Sequence, residues 1–319
     1  MTVVVVFPGQ GSQRPGMARD FCRQFPVSRR TLEEAGEACG VDMTRLCCGD
    51  DPRLARTEFT QPAILATEIA IVRAVREEYG LRPTHFAGHS VGEYAALVAA
   101  GVLPLREAIA LVRTRGTMMS GQLPAGRGGM MAMLSRDASV ADVRRCLDGL
   151  AVDIAAVNAP GQIVLSGLLE DLAAARSRLG RAPATAGARF RSLPGSVPFH
   201  SRFMAPVEPG FRRELEAASA SWVPELARSV ACNVTGDFHD PARPAIIDAL
   251  TRQVSGQVRW LGNMRALARL SPARIVEIGP RSVLRGFFRV VGQRIDPVTT
   301  VAEARQVLGS PRSEKATTR

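Results

Sequence analysis

The sequence predicts an α/β protein: a large subdomain built on a parallel sheet, with a small subdomain inserted into it. Val3 to Phe7 is an apolar, mostly β-branched run, which is typical of a central parallel strand buried on both faces. Residues 128–192 predict the order strand, helix, strand, strand, helix, strand, the split arrangement of ferredoxin-like folds. The 319 residues suffice for two such cores. We expect a large subdomain from 1–127 and 193–308, a small one from 128–192, and a disordered tail at 309–319.

A predicted strand at 82–87 runs into Gly88-His-Ser-Val-Gly92, the G-x-S-x-G pattern of a nucleophile elbow. In α/β-hydrolase-like folds this turn joins a strand to a helix and exposes the serine hydroxyl at the end of the sheet. The glycines are needed because strand and helix approach each other closely there. A serine in an ordinary glycine-rich turn is the alternative, and it is the commoner meaning of the bare pattern. The flanking strand and the helix predicted at 91–100 favour Ser90 as a nucleophile.

The loop Pro8-Gly-Gln-Gly-Ser-Gln13 follows the first predicted strand, at the sheet edge where open α/β folds place their sites. Its two glycines leave main-chain N–H groups accessible, so the loop could cradle a phosphate. The third glycine of a dinucleotide fingerprint and the Gly-Lys pair of a P-loop are both missing from the sequence. We therefore rank a nucleotide site low.

The composition indicates a soluble globular protein with a basic surface. Hydrophobic residues make up 46% and charged residues 22%, which is ordinary for such proteins. The net charge is +11, from 41 basic and 30 acidic residues, and this balance suits an acidic partner. Nucleic acid is disfavoured because aromatic residues are only 5% and no dense basic run interleaves with them. A surface that is arginine-rich for compositional reasons alone is the alternative.

The sequence predicts neither a membrane segment nor a signal peptide. No apolar run is long enough to span a bilayer, and the N-terminal run breaks at Pro8 with no basic residues before it. The six cysteines lack C-x-x-C spacing and a nearby histidine. We therefore expect reduced thiols, no metal site and a cytoplasmic protein.

A serine hydroxyl becomes a good nucleophile only beside a base, which is usually a histidine. Among the four histidines, His200 lies late in the chain, where hydrolase-type folds deliver their base. His89 adjoins the serine and should point away from its hydroxyl, as a packing residue or with a minor role in the pocket. His239 lies in a turn-like stretch and is predicted to be exposed, and His85 precedes the elbow. The spacing therefore selects His200.

Six motifs occur in an order that resembles one family. They are Phe7-Pro-Gly-Gln-Gly-Ser-Gln13, Gly88-His-Ser-Val-Gly-Glu-Tyr94, Arg115-Gly-x-x-Met119, Asn158-x-Pro160, Pro198-Phe-His200 and Glu277-x-Gly-Pro280. The chain resembles malonyl-CoA:acyl carrier protein transacylases and the acyltransferases of polyketide synthases, from Val3 to about Phe288. Each motif alone is a weak signal, whereas six in order are specific.

The resemblance implies how the chemistry is divided among residues. Ser90 would take the acyl group from a CoA thioester, with His200 as general base and then general acid. The main-chain N–H groups of Gln10 and Val91 would form the oxyanion hole, which explains the glycine loop without a phosphate. In relatives a glutamine carbonyl orients the histidine, and Gln253 holds the matching position here.

The resemblance also implies how the acyl group is chosen. Arg115 would pair bidentately with the free carboxylate of a malonyl group, because an arginine fork matches a planar carboxylate. From the residues alone, a solvated charge on a helix face is the alternative for Arg115. Met119, Phe199 and Asn158 would contact the substrate. A bulky Phe199 before the histidine, with Val91 after the serine, resembles malonyl-selective relatives.

Several positions depart from the family pattern, so the acyl group is less determined than the chemistry. Ser120, Met131, Gln257 and Arg281-Ser282 replace the usual residues near the pocket or its supports. One alternative is a transacylase that moves a larger acyl or aminoacyl group between two carrier proteins. Another is an acyl-thioester hydrolase, and a third is a catalytically silent module that docks a carrier protein.

The expected reaction is transfer of malonyl from malonyl-CoA, through a Ser90 acyl-enzyme, to the phosphopantetheine thiol of an acyl carrier protein. Such carriers are acidic, which gives the basic surface a use. The chain contains one such module, so we expect a free-standing enzyme of fatty-acid or polyketide biosynthesis. The resemblance implies no organic cofactor and no metal; the CoA thioester is a substrate.

Overall fold

The computed structural model describes residues 1–136, 138–193 and 197–311. Most of the predicted disordered tail, residues 312–319, lies outside the described residues. In chain order the strands are β1 (Val3–Phe7), β2 (His85–Gly88), β3 (Gly128–Leu134), β4 (Val152–Ala159), β5 (Gln162–Leu168), β6 (Arg189–Leu193), β7 (Arg274–Ile278) and β8 (Asp296–Val298).

The α-helices surround the two sheets that these strands form. In chain order they are α1 (Arg19–Gln24), α2 (Pro26–Cys39), α3 (Met43–Cys48), α4 (Thr57–Tyr79), α5 (Gly92–Ala100), α6 (Leu105–Gly121), α7 (Val140–Leu147), α8 (Leu169–Arg181), α9 (Glu208–Ala218), α10 (Arg243–Gln253), α11 (Trp260–Arg269), α12 (Arg285–Phe288) and α13 (Val301–Leu308). Short 3-10 helices cover Pro52–Ala55, Pro183–Thr185, Arg202–Val207, Ser219–Ser221, Pro224–Ser229 and Arg289–Val291. None of the helices described combines the length and the apolarity that a membrane crossing requires.

The first sheet is parallel, in the order β2–β1–β7–β8. β1 lies between β2 and β7, and its residues Val4 to Phe7 are completely buried, as predicted for a central strand. Phe7 is in register with Gly88, so β1 and β2 end side by side. The glycine loop after β1 and the elbow after β2 therefore meet at one edge of the sheet.

The second sheet is antiparallel, in the order β4–β5–β3–β6. Its chain order with α7 and α8 is the predicted ferredoxin-like arrangement. Side chains of the sheet and of the two helices share one buried core, to which Met133, Val143, Leu165 and Leu172 belong. The N-cap of α7 is Ser139, which forms a capping box with Asp142. The subdomain boundaries themselves remain a prediction.

The two sheets are connected through the segment that precedes α11. The main-chain N–H of Val258 donates to the Ala155 carbonyl at 2.8 Å, and Val157 N–H donates back to Val258 O at 3.1 Å. α11 also packs against β4. The second sheet therefore has a fixed main-chain attachment to the part of the chain that carries Gln253 and Gly256.

The structure differs from the predicted elements where proline or tertiary pairing decides the outcome. The sequence predicts one helix at about 204–220 and a strand near 230–233. The first is divided into a 3-10 turn and α9, because Pro206 has no N–H to donate. Pro209 lies in the first turn of α9, where its missing N–H costs nothing. The second forms only isolated bridges, one of them from Val230 to Phe86. β8 and α11 were not predicted.

The long helix α4 carries a carboxyl group into the core. The side chain of Glu68 is completely buried, and among the residues described neither of its oxygens has a hydrogen-bond partner. Burial, reinforced by the charge of Glu277, raises the pKa of Glu68 well above its ordinary value of 4.5. Glu277 itself is supported by three donors, Ser282 Oγ and the main-chain N–H groups of Val283 and Leu284.

This burial predicts that stability falls as pH rises. Between the ordinary pKa of glutamate and the raised folded value, the folded chain binds a proton that the unfolded chain does not. The contribution of Glu68 to the free energy of unfolding then decreases by about 1.4 kcal/mol per pH unit. Glu68→Gln should remove this slope, so denaturant unfolding should show the variant gaining on the wild type from pH 5 to pH 8. Glu77→Gln, an exposed site on the same helix, is the control. A stability difference that stays constant with pH would contradict the prediction.

Candidate active site

The elbow is built where a strand and a helix touch. A Cβ atom on Gly88 would lie 1.9 Å from the Gly92 carbonyl carbon, and one on Gly92 would lie 2.5 Å from Phe7 O. Both glycines are therefore required by close approach, as predicted. Ser90 has φ of +54°, in the left-handed region that non-glycine residues avoid. This turn leaves the serine side chain at the carboxyl edge of the first sheet.

Asn233 holds the main chain of the elbow in this conformation. Its Oδ1 accepts from Ser90 N–H at 2.7 Å, and its Nδ2 donates to Gly88 O at 2.8 Å. The side chain is completely buried. Sequence analysis missed this residue. A sequence signal for it does exist: Asn233 is a polar residue that directly follows the apolar segment 230–232, which pairs with β2.

The structure brings His200 to the serine. His200 Nε2 lies 2.8 Å from Ser90 Oγ, while Nδ1 lies 2.8 Å from Gln253 O and 3.2 Å from Gly256 O. Carbonyl oxygens only accept hydrogen bonds, so Nδ1 carries the proton and Nε2 is free to accept from the serine. Burial, with a contribution from the charge of Arg115, lowers the pKa of His200 to about 3. The imidazole is therefore neutral at physiological pH.

Arg115 approaches the serine from the other side. Its Nη2 lies 3.3 Å from Ser90 Oγ and 3.0 Å from Gln253 Oε1, and its Nη1 donates to Gln61 Oε1 at 2.8 Å. The residue is 1% exposed, which excludes the alternative of a solvated charge on a helix face. Within the described part of the chain no carboxylate oxygen lies within 4.0 Å of its guanidinium. Gln61 was not predicted.

The glycine loop packs directly on the elbow. A Cβ atom on Gly9 would lie 2.5 Å from His89 O. The side chain of Gln10 is held by Thr57, whose Oγ1 is 3.2 Å from Gln10 Nε2. In the residues that the structure describes, no acceptor bonds the main-chain N–H of Gln10 or of Val91. These two N–H groups are therefore available to a ligand beside Ser90.

The remaining predicted substrate residues lie around this centre. His89 Nε2 lies 2.8 Å from Asn158 Oδ1, and its ring packs beside Trp260. Asn158 thus has a contact that supports the elbow, and contact with substrate stays a prediction for it. Met119 and Phe199 are both buried and belong to the main hydrophobic core.

The prediction that His239 is exposed is wrong. The residue is 5% exposed, and its Nε2 lies 2.7 Å from Glu93 Oε1. Main-chain pairing causes the burial: His239 N–H donates to Val230 O, and the neighbouring residue bridges Ala231. The sequence showed a turn, but not that the turn folds back against the end of β2.

Glu93, Cys232 and His239 are the described residues that could offer a metal three ligands, because their ligand atoms lie within 4.8 Å of one another. Two ligand atoms at zinc distances of about 2.0 Å are separated by about 3.3 Å in tetrahedral geometry. The 2.7 Å between His239 and Glu93 is shorter and is closed by a hydrogen bond. The Glu93–His239 contact therefore has the geometry of a hydrogen bond and not that of two zinc ligands.

The parallel sheet, the elbow and the serine–histidine contact define a protein of the α/β-hydrolase-like class. The sequence model of the acyl transferase domain family matches residues 4–302, and the chain belongs to this family. The predicted enzyme class, an acyltransferase, is thereby confirmed, together with the hydrolase-like fold and its ferredoxin-like subdomain.

Curated and solved relatives match over nearly their whole length. A malonyl CoA-acyl carrier protein transacylase of Escherichia coli (strain K12) is 37% identical over 304 residues, covering 93% of this chain and 94% of the relative. The crystal structure of such an enzyme from Xanthomonas oryzae pv. oryzae matches with TM-score 0.88 and 37% identity, covering 96% and 97% of the two chains. A malonyl-transacylase in complex with a type II polyketide synthase acyl-carrier protein matches with TM-score 0.87 and 33% identity, covering 97% and 99%.

Asn233→Ala should destabilise the protein by about 2–4 kcal/mol, because it leaves the Ser90 N–H and the Gly88 carbonyl buried without a partner. Denaturant unfolding measures this loss. Asn263→Ala is the matched control: the residue is equally buried, and its side-chain amide has no partner among the residues described. Equal losses in the two variants would show that Asn233 contributes packing alone.

Proposed function

We propose that this chain transfers a malonyl group from malonyl-CoA to the phosphopantetheine thiol of an acyl carrier protein, with Ser90 carrying the group in between. One observation carries the proposal. Ser90 Oγ lies between a neutral acceptor, His200 Nε2 at 2.8 Å, and a buried cation, Arg115 Nη2 at 3.3 Å. A serine nucleophile needs a proton acceptor such as His200 Nε2. A buried guanidinium such as that of Arg115 can recognise an acyl group that has a free carboxylate. The names of the relatives describe the same reaction for those proteins.

In the first half-reaction Ser90 attacks the thioester carbonyl of malonyl-CoA. His200 Nε2 takes the hydroxyl proton as the Oγ–C bond forms. The negative charge that develops on the carbonyl oxygen is stabilised by the N–H groups of Gln10 and Val91. Such donors lower a barrier by about 3–4 kcal/mol each. The C–S bond then breaks, and the leaving CoA sulfur takes the proton from His200.

The second half-reaction reverses these steps with a different thiol. The phosphopantetheine thiol of the carrier gives its proton to His200 Nε2 and attacks the ester on Ser90. The same N–H groups hold the oxygen, and the proton returns to Ser90 Oγ as the ester bond breaks. His200 starts each half-reaction neutral, and its Nδ1–H stays fixed on Gln253 O, so the ring keeps one orientation throughout.

Arg115 supplies the selection for an acidic acyl group. Each Nη of its guanidinium already donates to a glutamine amide, and Nε has no partner among the described residues. The two amides fix the plane of the guanidinium in advance, so little entropy is lost when a carboxylate binds. Phe199 and Met119 are buried in the main hydrophobic core. We infer that Phe199 disfavours an α-methyl branch, a discrimination of about 1–3 kcal/mol.

An open cavity leads from the surface to His200. Its volume is about 840 Å³, and Arg144, Arg202, Ser255 and Gln257 contribute to its lining. We infer that the phosphopantetheine arm of CoA and of the carrier enters here. The net charge of +11 favours encounter with an acidic carrier protein. One relative was solved in complex with such a carrier.

Mass spectrometry of the intact protein after incubation with malonyl-CoA tests the proposal. We expect a malonyl mass on a peptide that contains Ser90, and its loss when a carrier protein bearing phosphopantetheine is added. Ser90→Ala should show no adduct. If the wild type acquires no malonyl mass, or loses it to water as fast as to the carrier, the proposed function is wrong.

Arg115→Ala should lower kcat/KM for malonyl transfer about 100-fold or more, because a charged hydrogen-bonded pair is lost in a buried site. Acetyl transfer, which has no carboxylate to bind, should fall less than about 10-fold. The rate of acyl-enzyme formation from the two thioesters measures this. Arg113→Ala is the control, because it makes the same change on the same helix. The guanidinium of Arg113 donates to Glu58 O and does not contact Ser90. Equal losses for malonyl and acetyl would contradict the role of Arg115.

A further inference from the structure

The side chain of Gln253 joins Arg115 to a second charged group. Its Nε2 donates to Glu93 Oε2 at 2.5 Å and to Ser90 O at 3.1 Å, while its Oε1 accepts from Arg115 Nη2 at 3.0 Å. The two partners of Nε2 only accept and the partner of Oε1 only donates, so one orientation of the amide satisfies all three contacts. A continuous hydrogen-bonded path therefore connects Glu93 with the guanidinium of Arg115.

Glu93 is a buried acceptor with four contacts. Besides Gln253, the main-chain N–H of Asn233 lies 3.3 Å from each of its oxygens, and His239 Nε2 lies 2.7 Å from Oε1. Both the Glu93 and the His239 side chains are 1% exposed. These partners suit a carboxylate, because Gln253 Nε2 and the Asn233 N–H can only donate hydrogen bonds. A negative charge in such a place needs a positive partner.

His239 provides that partner. Burial by itself lowers the pKa of His239, but hydrogen bonds to Cys232 and to Glu93, together with the charge of the Glu93 carboxylate, raise it above its ordinary value of 6.5. The imidazole then balances the carboxylate. Burial raises the pKa of Tyr94, the other ionisable group beside Arg115, and lowers that of His200, so both are neutral. The hydrogen-bonded path from Arg115 through Gln253 and Glu93 to His239 thus contains two positive charges and one negative charge.

We propose that His239 is a positioning and specificity residue: it neutralises Glu93, so that Arg115 keeps one uncompensated positive charge for the carboxylate of the acyl group. Without a charged His239, Glu93 would balance Arg115 through the Gln253 amide, and the pocket would have no net charge with which to bind an anion. This inference rests on the proposed function, since it concerns the acyl group that the function assigns. In this role His239 acts on the acyl carboxylate through Glu93, Gln253 and Arg115, without touching the substrate itself.

His239→Gln keeps a hydrogen-bond donor near Glu93 and removes the positive charge. We expect kcat/KM for malonyl loading to fall at least 10-fold relative to that for acetyl loading. The loss should lie mainly in KM, because the carboxylate is bound equally in the ground state and in the transition state. His85→Gln, the same change at a partly exposed histidine outside the cluster, should alter neither value.

The double variant His239→Gln with Glu93→Gln separates charge from packing. With both residues neutral, Arg115 alone gives the pocket a net charge of +1. The ratio of kcat/KM for malonyl to that for acetyl should then recover at least half of its loss, measured on a logarithmic scale. A role of His239 in packing alone predicts that the double variant is no better than the single one. Selectivity that is unchanged in His239→Gln would likewise overturn the inference, while the proposed function would stand.

The protonation of His239 can be read without activity. A long-range ¹H–¹⁵N spectrum should show its imidazole doubly protonated at pH 7.5, and a neutral ring there would overturn the inference even if the variants fail to fold. If the wild type loads acetyl as readily as malonyl, the proposed function itself fails, and this inference fails with it. The two failures are therefore distinct.

Discussion

The contact between Ser90 Oγ and His200 Nε2 depends on two unusual main-chain conformations. Ser90 and His200 have φ of +54° and +56°, and residues held in this region cost about 1–3 kcal/mol each. The elbow glycines and Asn233 hold the first in place, and the carbonyl groups of Gln253 and Gly256 hold the imidazole of the second. Strain at both reacting residues means that the rest of the fold stabilises a geometry which the local chain would not choose.

Gln253 has three roles in this arrangement because its main chain and its side chain act separately. Its carbonyl orients the imidazole, its amide oxygen orients the guanidinium, and its amide nitrogen supports the elbow carbonyl and Glu93. A buried polar network of this kind is stabilising only when every member is satisfied. The imidazole of His200 and the guanidinium of Arg115 are thus oriented by one residue, at the end of α10.

Sequence patterns predicted the parts of the site that lie within short stretches of chain. The elbow, the glycine loop and the central strand are local in sequence, so residue type and spacing sufficed to locate them, whereas the role of the Gln10 N–H came from the resemblance. Other contacts of the site form only when distant segments of the chain meet, and a single sequence carries no distances between segments. They are those of Asn233, of Gln61 and of the Glu93–His239 pair. The wrong prediction that His239 is exposed has this origin. The sequence pattern of a Gly-Asp-Phe-His-Asp turn is the same whether the turn faces water or folds back on a sheet. The resemblance to known acyltransferases, and not periodicity, pointed to Arg115 and Gln253.

A crystal structure of the protein after reaction with malonyl-CoA would show directly where the acyl group is bound. We expect an ester on Ser90 Oγ, with its carbonyl oxygen facing the N–H groups of Gln10 and Val91 and both carboxylate oxygens at hydrogen-bond distance from Arg115. An acyl group that is attached elsewhere, or whose carboxylate points to solvent while Arg115 keeps only its glutamine partners, would contradict this expectation.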